Sequence, residues 1–243
     1  MATFATAHNE INELHKQHGT DHSGWLEKRY IEVKNDIKPE LKEAVEVLSQ
    51  QINSWGNVPY LEIEARIGFF DDDDEGQPKY PFDTDISKSA YEKICAILEN
   101  DREIIKKEHI VSTDYIKGSC RMSIDHKDSS RHAIKKDVLE QMNFRYDDSS
   151  FDLRISFSME TPISIEQFEN IHNVNTNTRK KDRKTYHTKH WKYDLTKVDT
   201  TTDTGCKKTT RQIEIEAKLS EIPYVDYVYM AETLLLKVQK NIV

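Results

Sequence analysis

The chain has 243 residues, enough for one domain with a full hydrophobic core, and its formal net charge of -8 argues against a broad nucleic-acid-binding surface. A local basic pocket for one phosphate cluster remains compatible with that charge. The three cysteines are far apart and match no metal-binding spacing, so we expect a reducing intracellular, cytoplasmic location without disulfide bonds. The N-terminus has no apolar signal core, and no apolar run of about 18 residues occurs, which argues against secretion and membrane spans.

The composition of the chain separates a polar N-terminal tail from one domain, and helical periodicity and end signals predict the helices. The polar, His-rich residues 1–24 are interpreted as a solvated tail, and residues 25–243 as a single domain. Ser87 is a good N-cap for one of the helices, in which Ile105 is expected to face inward. Four helices are predicted in all, at 39–55, 87–107, 164–171 and 224–241.

Alternating apolar and polar residues predict eight strands, most of them joined by short turns and therefore antiparallel. The acidic run at 71–76 is interpreted as a solvated hairpin or loop, because consecutive carboxylates cannot all point at one ion. A closed eight-stranded antiparallel barrel with helices packed outside is the simplest arrangement of these strands. The predicted strands are 58–70, 109–117, 120–126, 132–141, 151–160, 178–188, 190–199 and 208–219.

Two Glu-Ile-Glu segments stand out near the two ends of this strand series. Glu62 and Glu64 share one face of the first strand, and Glu214 and Glu216 share one face of the last. Taken singly, each pattern is also typical of a half-exposed strand. If the two strands are neighbours, however, four carboxylates converge, and such repulsion favours binding of a hard divalent cation, Mg²⁺ or Mn²⁺.

The polar faces of the intervening strands carry mainly cations. Arg154 lies on one strand, Lys181 and Arg183 on the next, and Lys192 and Asp194 on the one after. A charged lumen with carboxylates on one wall and cations on the others would suit a metal ion bound to an oligophosphate. The alternative is an open sheet that packs on helices and exposes one charged face to solvent.

The paired Glu-x-Glu strands, the Asp-Leu-Arg-Ile-Ser strand at 152–156 and the segments at 179–186 and 191–198 together resemble the triphosphate tunnel metalloenzymes. The resemblance spans about residues 58–219. More narrowly, the chain looks like the fungal and large-DNA-virus RNA triphosphatases of mRNA capping. Within that branch the chain looks most like the N-terminal domain of a giant-virus capping enzyme of the mimivirus type. It departs at Gln212, where some fungal enzymes carry a third acidic residue in the last strand.

The resemblance implies metal-dependent removal of the γ-phosphate from 5′-triphosphate RNA, with hydrolysis of NTPs as a side activity. We assign metal binding to Glu62, Glu64 and Glu216. Glu214 is the candidate for orienting or deprotonating the attacking water, and Asp194 for fixing a basic side chain. Phosphate contacts are expected from Arg154, Lys181, Arg183, Lys192 and one of Lys135 or Lys136, preferably Lys136. Held in reserve as charge-balancing lumen residues are Arg66, Glu160, Arg179 and Lys218.

Other functions remain open at this stage. The Glu-x-Glu-x-Arg and Glu-x-Glu-x-Lys patterns also approach the signature of adenylyl cyclases and thiamine triphosphatases, and a polyphosphate polymerase has the same architecture. Non-enzymatic alternatives are a module that binds polyphosphate or RNA 5′ ends, and a protein-interaction barrel. No Lys-x-Asp-Gly motif of nucleotidyl transfer occurs, so a linked guanylyltransferase domain is expected beyond residue 243. The sequence does not fix the oligomeric state.

Overall fold

A computed structural model describes residues 59–72, 78–144, 151–172 and 174–217, together with residues 47, 50, 51 and 54. The main described segments lie in a compact unit that spans residues 58–221. The predicted tail at 1–24 and the helix at 224–241 lie outside the described residues. Of the helix predicted at 39–55, the four described residues are helical. The division of the chain into a tail and one domain stays a prediction.

The described unit contains nine strands, eight of which close into a barrel. In chain order they are β1 (Leu61–Asp72), β2 (Pro78–Asp83), β3 (Lys106–Lys117), β4 (Cys120–Asp125), β5 (Arg131–Phe144), β6 (Asp152–Ile163), β7 (Thr176–His187), β8 (Trp191–Thr201) and β9 (Lys207–Ala217). Every pairing is antiparallel, and the order around the barrel is β1-β6-β5-β4-β3-β7-β8-β9, with β9 pairing back to β1. The predicted closed barrel is therefore confirmed, and the open sheet is excluded.

Strand β2 is the extra strand, and the sequence analysis missed it. It pairs with the last residues of β1 after an irregularity between Phe69 and Asp71. The predicted hairpin at the acidic run thus exists as the β1–β2 connection, although residues 73–77 lie outside the described part. The turn at Gly118, with φ of 59°, and the turn at Gly205, with φ of 81°, fall where they were predicted.

Two short helices complete the described unit, α1 (Lys88–Asn100) and α2 (Ile165–Glu169). Ser87 caps α1 as predicted, because its hydroxyl accepts a hydrogen bond from the Ala90 N–H. The prediction that this helix continues to 107 is wrong, and Ile105 is 70% exposed rather than inward. The Asp101 carboxylate accepts the Glu103 N–H in a local turn, and pairing of the next residues with β7 ends the helical run. None of the helices in the described part has the length and apolar character needed to span a bilayer.

The barrel has an apolar outer side and a polar inner side. Ile63, Ala65 and Ile67 on β1, and Leu153 and Ile155 on β6, are at most 1% exposed. Between them, the polar residues of each strand point to the other side. Contacts between strands that are not neighbours show that this side is the concave interior: Lys136 of β5 contacts Glu62 of β1, with β6 lying between them. We call this interior the tunnel.

Candidate active site

The tunnel has two ends, which we name by residues of β1. Strand β1 begins next to Tyr60, so its Glu62 lies nearer the Tyr60 end and its Gly68 nearer the opposite, Gly68 end. Because all strands are antiparallel to their neighbours, β8 also runs toward the Gly68 end, whereas β6, β7 and β9 run toward the Tyr60 end. Positions along the tunnel can therefore be compared from strand to strand.

The two Glu-x-Glu strands meet as the sequence analysis predicted. Glu64 of β1 is directly opposed to Glu216 of β9, and Arg66 is opposed to Glu214. Directly opposed residues of paired strands have Cβ atoms about 4.5–5.5 Å apart, so the carboxylates of one pair share one space. Burial and repulsion from Glu214 raise the pKa of Glu64, and burial, against the pull of Lys192, raises the pKa of Glu216.

Glu214 has the opposite electrostatic environment. Burial opposes its ionisation, but Arg66 and Arg183 outweigh burial and lower the pKa of Glu214 to about 2. The guanidinium of Arg66 donates to Glu214 at 2.8 Å and also contacts Glu64. A carboxylate with so low a pKa remains ionised at neutral pH and is a weak proton acceptor.

Lys136 projects into the tunnel, whereas Lys135 does not. The Lys136 ammonium contacts Glu62, lies 3.6 Å from Glu64 and 3.2 Å from Glu160. Lys135 lies on the outer side of β5 and pairs with Asp137 at 2.8 Å. Of these two lysines, Lys136 is therefore the one that faces the tunnel.

The predicted cations of β7 each have a buried carboxylate partner. The Lys181 ammonium lies 2.6 Å from Asp114, and the Arg183 guanidinium lies 2.9 Å from Asp194 and 3.6 Å from Glu214. Asp194 is 2% exposed and also accepts a hydrogen bond from the Thr185 hydroxyl at 2.6 Å, so it holds Arg183 from a fixed position. Burial, the largest influence, and the neighbouring Arg183 and Arg121 lower the pKa of Lys181, although Asp114 counteracts them.

Lys192 lies beside the metal candidate Glu216 and shares the Asp194 carboxylate with Arg183 of β7. It is directly opposed to Glu216, contacts its carboxylate, and lies 3.5 Å from Asp194. Its ammonium therefore compensates two carboxylates near the Tyr60 end.

Two tunnel residues, Asp114 and Arg121, were missed by the sequence analysis. Asp114 binds Lys181 and accepts a hydrogen bond from Ser123, and Arg121 donates to Glu160 at 3.3 Å. The sequence contained a signal for both residues, because Ser112 and Asp114 share one face of β3, and Arg121 and Ser123 share one face of β4.

Arg154 is not brought together with the glutamates. It is opposed to Arg66 on β1, its Nε donates to Asn143 at 3.0 Å, and its guanidinium stacks 4.7 Å from the ring centre of Phe82. These contacts direct it toward the Gly68 end. Its predicted contact with the γ-phosphate stays a prediction. Lys218, held in reserve, lies outside the described residues.

The carboxylates suit a divalent cation by chemistry and by position. As their side chains are placed, no three His, Cys, Asp or Glu residues in the described part converge as metal ligands. Instead, Glu62, Glu64 and Glu216 each contact a cationic side chain. Their strand positions nevertheless adjoin, and burial, together with repulsion from neighbouring carboxylates, raises the pKa of both Glu64 and Glu216. An all-oxygen donor set of this kind fits Mg²⁺ or Mn²⁺.

Comparisons with known proteins agree with this geometry. Residues 56–232 match a model of the mRNA triphosphatase family, described as "mRNA capping enzyme, beta chain". No curated protein matches the chain. Among solved structures, the Pct1 RNA triphosphatase of S. pombe superimposes with a TM-score of 0.66 at 21% identity, covering 84% of this chain and 94% of that chain.

Two further structures share the fold. Pct1 of S. pombe in complex with the Spt5 CTD gives a TM-score of 0.67 at 21% identity, over 84% of this chain and 95% of that chain. The mimivirus capping enzyme triphosphatase gives a TM-score of 0.53 at 13% identity, over 82% of this chain and 97% of that chain. At these identities the structural likeness shows the tunnel fold alone. The family model, which covers most of the residues, shows in addition that this chain belongs to the mRNA triphosphatase family, the beta chain of mRNA capping enzymes.

Proposed function

We propose that this chain hydrolyses the γ-phosphate from 5′-triphosphate RNA, as the first step of cap formation, and hydrolyses NTPs as a side activity. The observation that carries the proposal is the opposition of Glu64 and Glu216 across the β1–β9 junction, with Lys136, Lys181 and Arg183 in the same tunnel. Carboxylates alone would suit a metal site, and cations alone a phosphate site. Their combination in a closed lumen suits a metal-bound triphosphate.

Glu62, Glu64 and Glu216 would hold a divalent cation, Mg²⁺ or Mn²⁺. Bound there, it would polarise a phosphate oxygen as a Lewis acid. The chain's own contribution is to reduce the repulsion between these carboxylates with cationic side chains. Lys136 and Lys192 do this in the described structure by contacting Glu62 and Glu216.

Lys136, Lys181 and Arg183 are the proposed contacts to the transferred phosphate. Asp114, the partner of Lys181, and Asp194, the partner of Arg183, are each 2% exposed and cannot move far, so these two cationic groups are held in place before substrate binds. Preorganised cations stabilise the charge that spreads over the phosphate oxygens in the transition state without reorganisation at that moment. Lys192 is a further candidate contact.

Glu214 is proposed to orient the attacking water rather than to take up its proton. Because Arg66 and Arg183 lower its pKa to about 2, the carboxylate is a hydrogen-bond acceptor of fixed charge. A loose, largely dissociative transition state asks for a positioned nucleophile more than for a strong base. This assignment separates Glu214 from the metal-binding role of its neighbour Glu216.

The proposed cellular context follows from the family. The diphosphate RNA end would pass to a guanylyltransferase, which we propose is linked in the same polypeptide beyond residue 243, inside the cell. The Pct1 structure with the Spt5 CTD shows a bound partner for that protein. A segment like the Spt5 CTD is therefore a candidate partner here as well.

The test is release of labelled γ-phosphate from 5′-triphosphate RNA and from ATP, with Mg²⁺, with Mn²⁺ and with chelator. Glu64→Gln should abolish release, while Lys135→Ala, on the outer side of the same barrel, should leave it near the native rate. Metal-dependent release only from small triphosphates, or formation of cyclic nucleotide or polyphosphate, would indicate another tunnel enzyme. Binding of triphosphate RNA without any release would indicate a binding module.

A further inference from the structure

Charge is distributed unevenly along the tunnel axis. On β1, the carboxylates Glu62 and Glu64 lie nearer the Tyr60 end than Arg66 does. On β6, Glu160 lies nearer that end than Arg154 does. The other strands continue the trend: β9 has Glu216 and Glu214 before Gln212, β8 has Asp194 before Thr196 and Val198, and β7 has Arg179 as its cation nearest the Gly68 end. The carboxylates of β1, β6, β8 and β9 thus lie toward the Tyr60 end of their strands, and Arg66, Arg154 and Arg179 lie toward the Gly68 end.

Arg179 shows that this positive charge is not fully balanced. Within the part of the chain that the structure describes, it forms no ion pair or hydrogen bond. Its side chain is exposed, and local desolvation together with repulsion from Arg66 and Arg121 lowers its pKa, against the attraction of Asp114, which is directly opposed to it. A polyanion whose terminal phosphate lies among the carboxylates and cations of the site would therefore extend toward the Gly68 end.

The Gly68 end also contains a built platform for one guanidinium. A Cβ on Gly68 would lie 2.2 Å from the Asp83 carbonyl oxygen and 2.8 Å from the Phe82 ring, so only glycine lets β2 approach this closely. The Phe82 ring is 6% exposed and packs on Phe70 with 4.9 Å between ring centres. Arg154 stacks on it, an arrangement that fixes the plane of the guanidinium by cation–π attraction.

Distance along the strands separates this platform from the reacting phosphate. From Glu64 to Gly68 is four residues of β1, or about 13 Å at the rise of a strand. The α-phosphate of an NTP, only two anhydride links from the γ-phosphate, does not reach that far. An RNA chain carries its next anionic group, the phosphodiester after the first nucleotide, beyond the α-phosphate.

We propose that Arg154, positioned by stacking on Phe82, binds the first phosphodiester of the RNA and makes the enzyme prefer RNA ends to free NTPs. The inference rests on the proposed function and adds to it the direction in which the RNA lies. Stacking on Phe82 and the hydrogen bond from Nε to Asn143 fix the plane of this guanidinium, and a fixed planar guanidinium is the group that arginine uses to bind phosphate oxygens. This role replaces γ-phosphate contact as the expected role of Arg154.

The experiment compares ATP with a 5′-triphosphate oligoribonucleotide for the native chain and the variants Arg154→Ala, Phe82→Leu and Phe82→Tyr, with Lys180→Ala on the exposed outer face of β7 as control. For Arg154→Ala we expect kcat/KM for RNA to fall about ten- to a hundredfold more than kcat/KM for ATP, mainly through KM, since one charge-assisted contact is lost. Phe82→Leu should shift in the same direction, and Phe82→Tyr, which keeps an aromatic face, should restore the preference. For Arg154→Ala, the slope of the logarithm of RNA affinity against the logarithm of salt concentration should decrease in magnitude by about 0.7, since one phosphate contact is lost.

An equal loss on ATP and RNA would place Arg154 at the γ-phosphate and overturn the inference, as would no loss on either. Binding of the same RNA to Glu64→Gln, with and without Arg154→Ala, tests the contact without turnover. If the native chain hydrolyses neither substrate, the proposed function fails. The binding comparison still decides on Arg154, because unchanged RNA affinity would overturn its role.

Discussion

Replacing Glu64 and Glu214 by glutamine should separate two carboxylates that the sequence pattern does not distinguish. Both variants should lose phosphate release by orders of magnitude. Their effects on folding should differ, because the tunnel raises the pKa of Glu64 through burial and Glu214, and lowers that of Glu214 through Arg66 and Arg183. Ionised Glu64 therefore opposes folding, whereas ionised Glu214 supports it.

The magnitude follows from the environment of Glu214. A pKa that falls from 4.5 to about 2 corresponds to about 3 kcal/mol of preferential interaction with the ionised carboxylate. The Glu214 side chain is 13% exposed, so solvent screens little of it. A glutamine keeps part of the hydrogen bonding, and we expect a loss of about 2–3 kcal/mol, or roughly 5–10 °C in Tm for a chain of this size. Glu64→Gln should leave Tm unchanged or raise it.

Thermal and urea unfolding in chelator buffer at pH 7 measures both effects without bound cations. The contribution of Glu214 should be complete above pH 4.5 and should disappear as the pH falls through about 2, so the Tm difference between the native chain and Glu214→Gln should shrink on acidification. Equal destabilisation by both variants would refute the electrostatic reasoning. So would a Glu64→Gln variant that is the less stable of the two.

Three further outcomes are expected. Gly68→Ala should destabilise the fold by about 1–3 kcal/mol in urea unfolding, because the added carbon meets backbone of β2 near Phe82; a neutral result would mean that β2 lies elsewhere. Lys136→Ala should lower kcat/KM about 100- to 1000-fold and Lys135→Ala hardly at all in the phosphate-release assay, and similar losses would contradict the placement of Lys136 in the tunnel. Burial raises the pKa of Tyr91 to about 12, so stability should decline as pH rises from 10 to 12, and Tyr91→Phe should weaken that decline in urea midpoints.

The barrel could be predicted because alternation is strong wherever one strand face is apolar and buried. Strand β1 is predicted by the alternating apolar residues Ile63, Ala65 and Ile67, and β6 by Leu153 and Ile155. Neither segment has a competing helical pattern. The connections, most of them short, then leave antiparallel closure as the simple solution. The Glu64–Glu216 opposition follows from closure, since the first and last strands must become neighbours.

Strand β2 could not be read in the same way. Its sequence, Pro-Lys-Tyr-Pro-Phe-Asp at 78–83, is short and has two prolines, and prolines argue against a strand that pairs on both sides. Among the described strands it pairs only with the end of β1. Its position depends on a tertiary contact that no sequence pattern reveals, the approach of Phe82 to Gly68.

The site was predicted less completely than the fold, for two physical reasons. First, the length of a side chain and the identity of its partner decide where it points, as the different contacts of Arg154 and Arg183 show. Second, Asp114 is flanked on its face of β3 by Ser112 and Ile116, and Arg121 is followed on its face of β4 by Ser123. A face with one charge looks like ordinary surface until the barrel closes and places it opposite Lys181 or Glu160.

The pairing of β1 with β9 also bears on how the chain folds. Glu64 and Glu216 are roughly 150 residues apart in sequence, so the contact that closes the barrel has a high loop-closure entropy and is expected to form late. The hairpins β3–β4, β7–β8 and β8–β9 have short connections and can form earlier. During synthesis, no part of the chain that ends before β9 contains both carboxylate strands. Refolding should therefore restore strand content before it restores catalytic activity, with barrel closure as the step that separates the two.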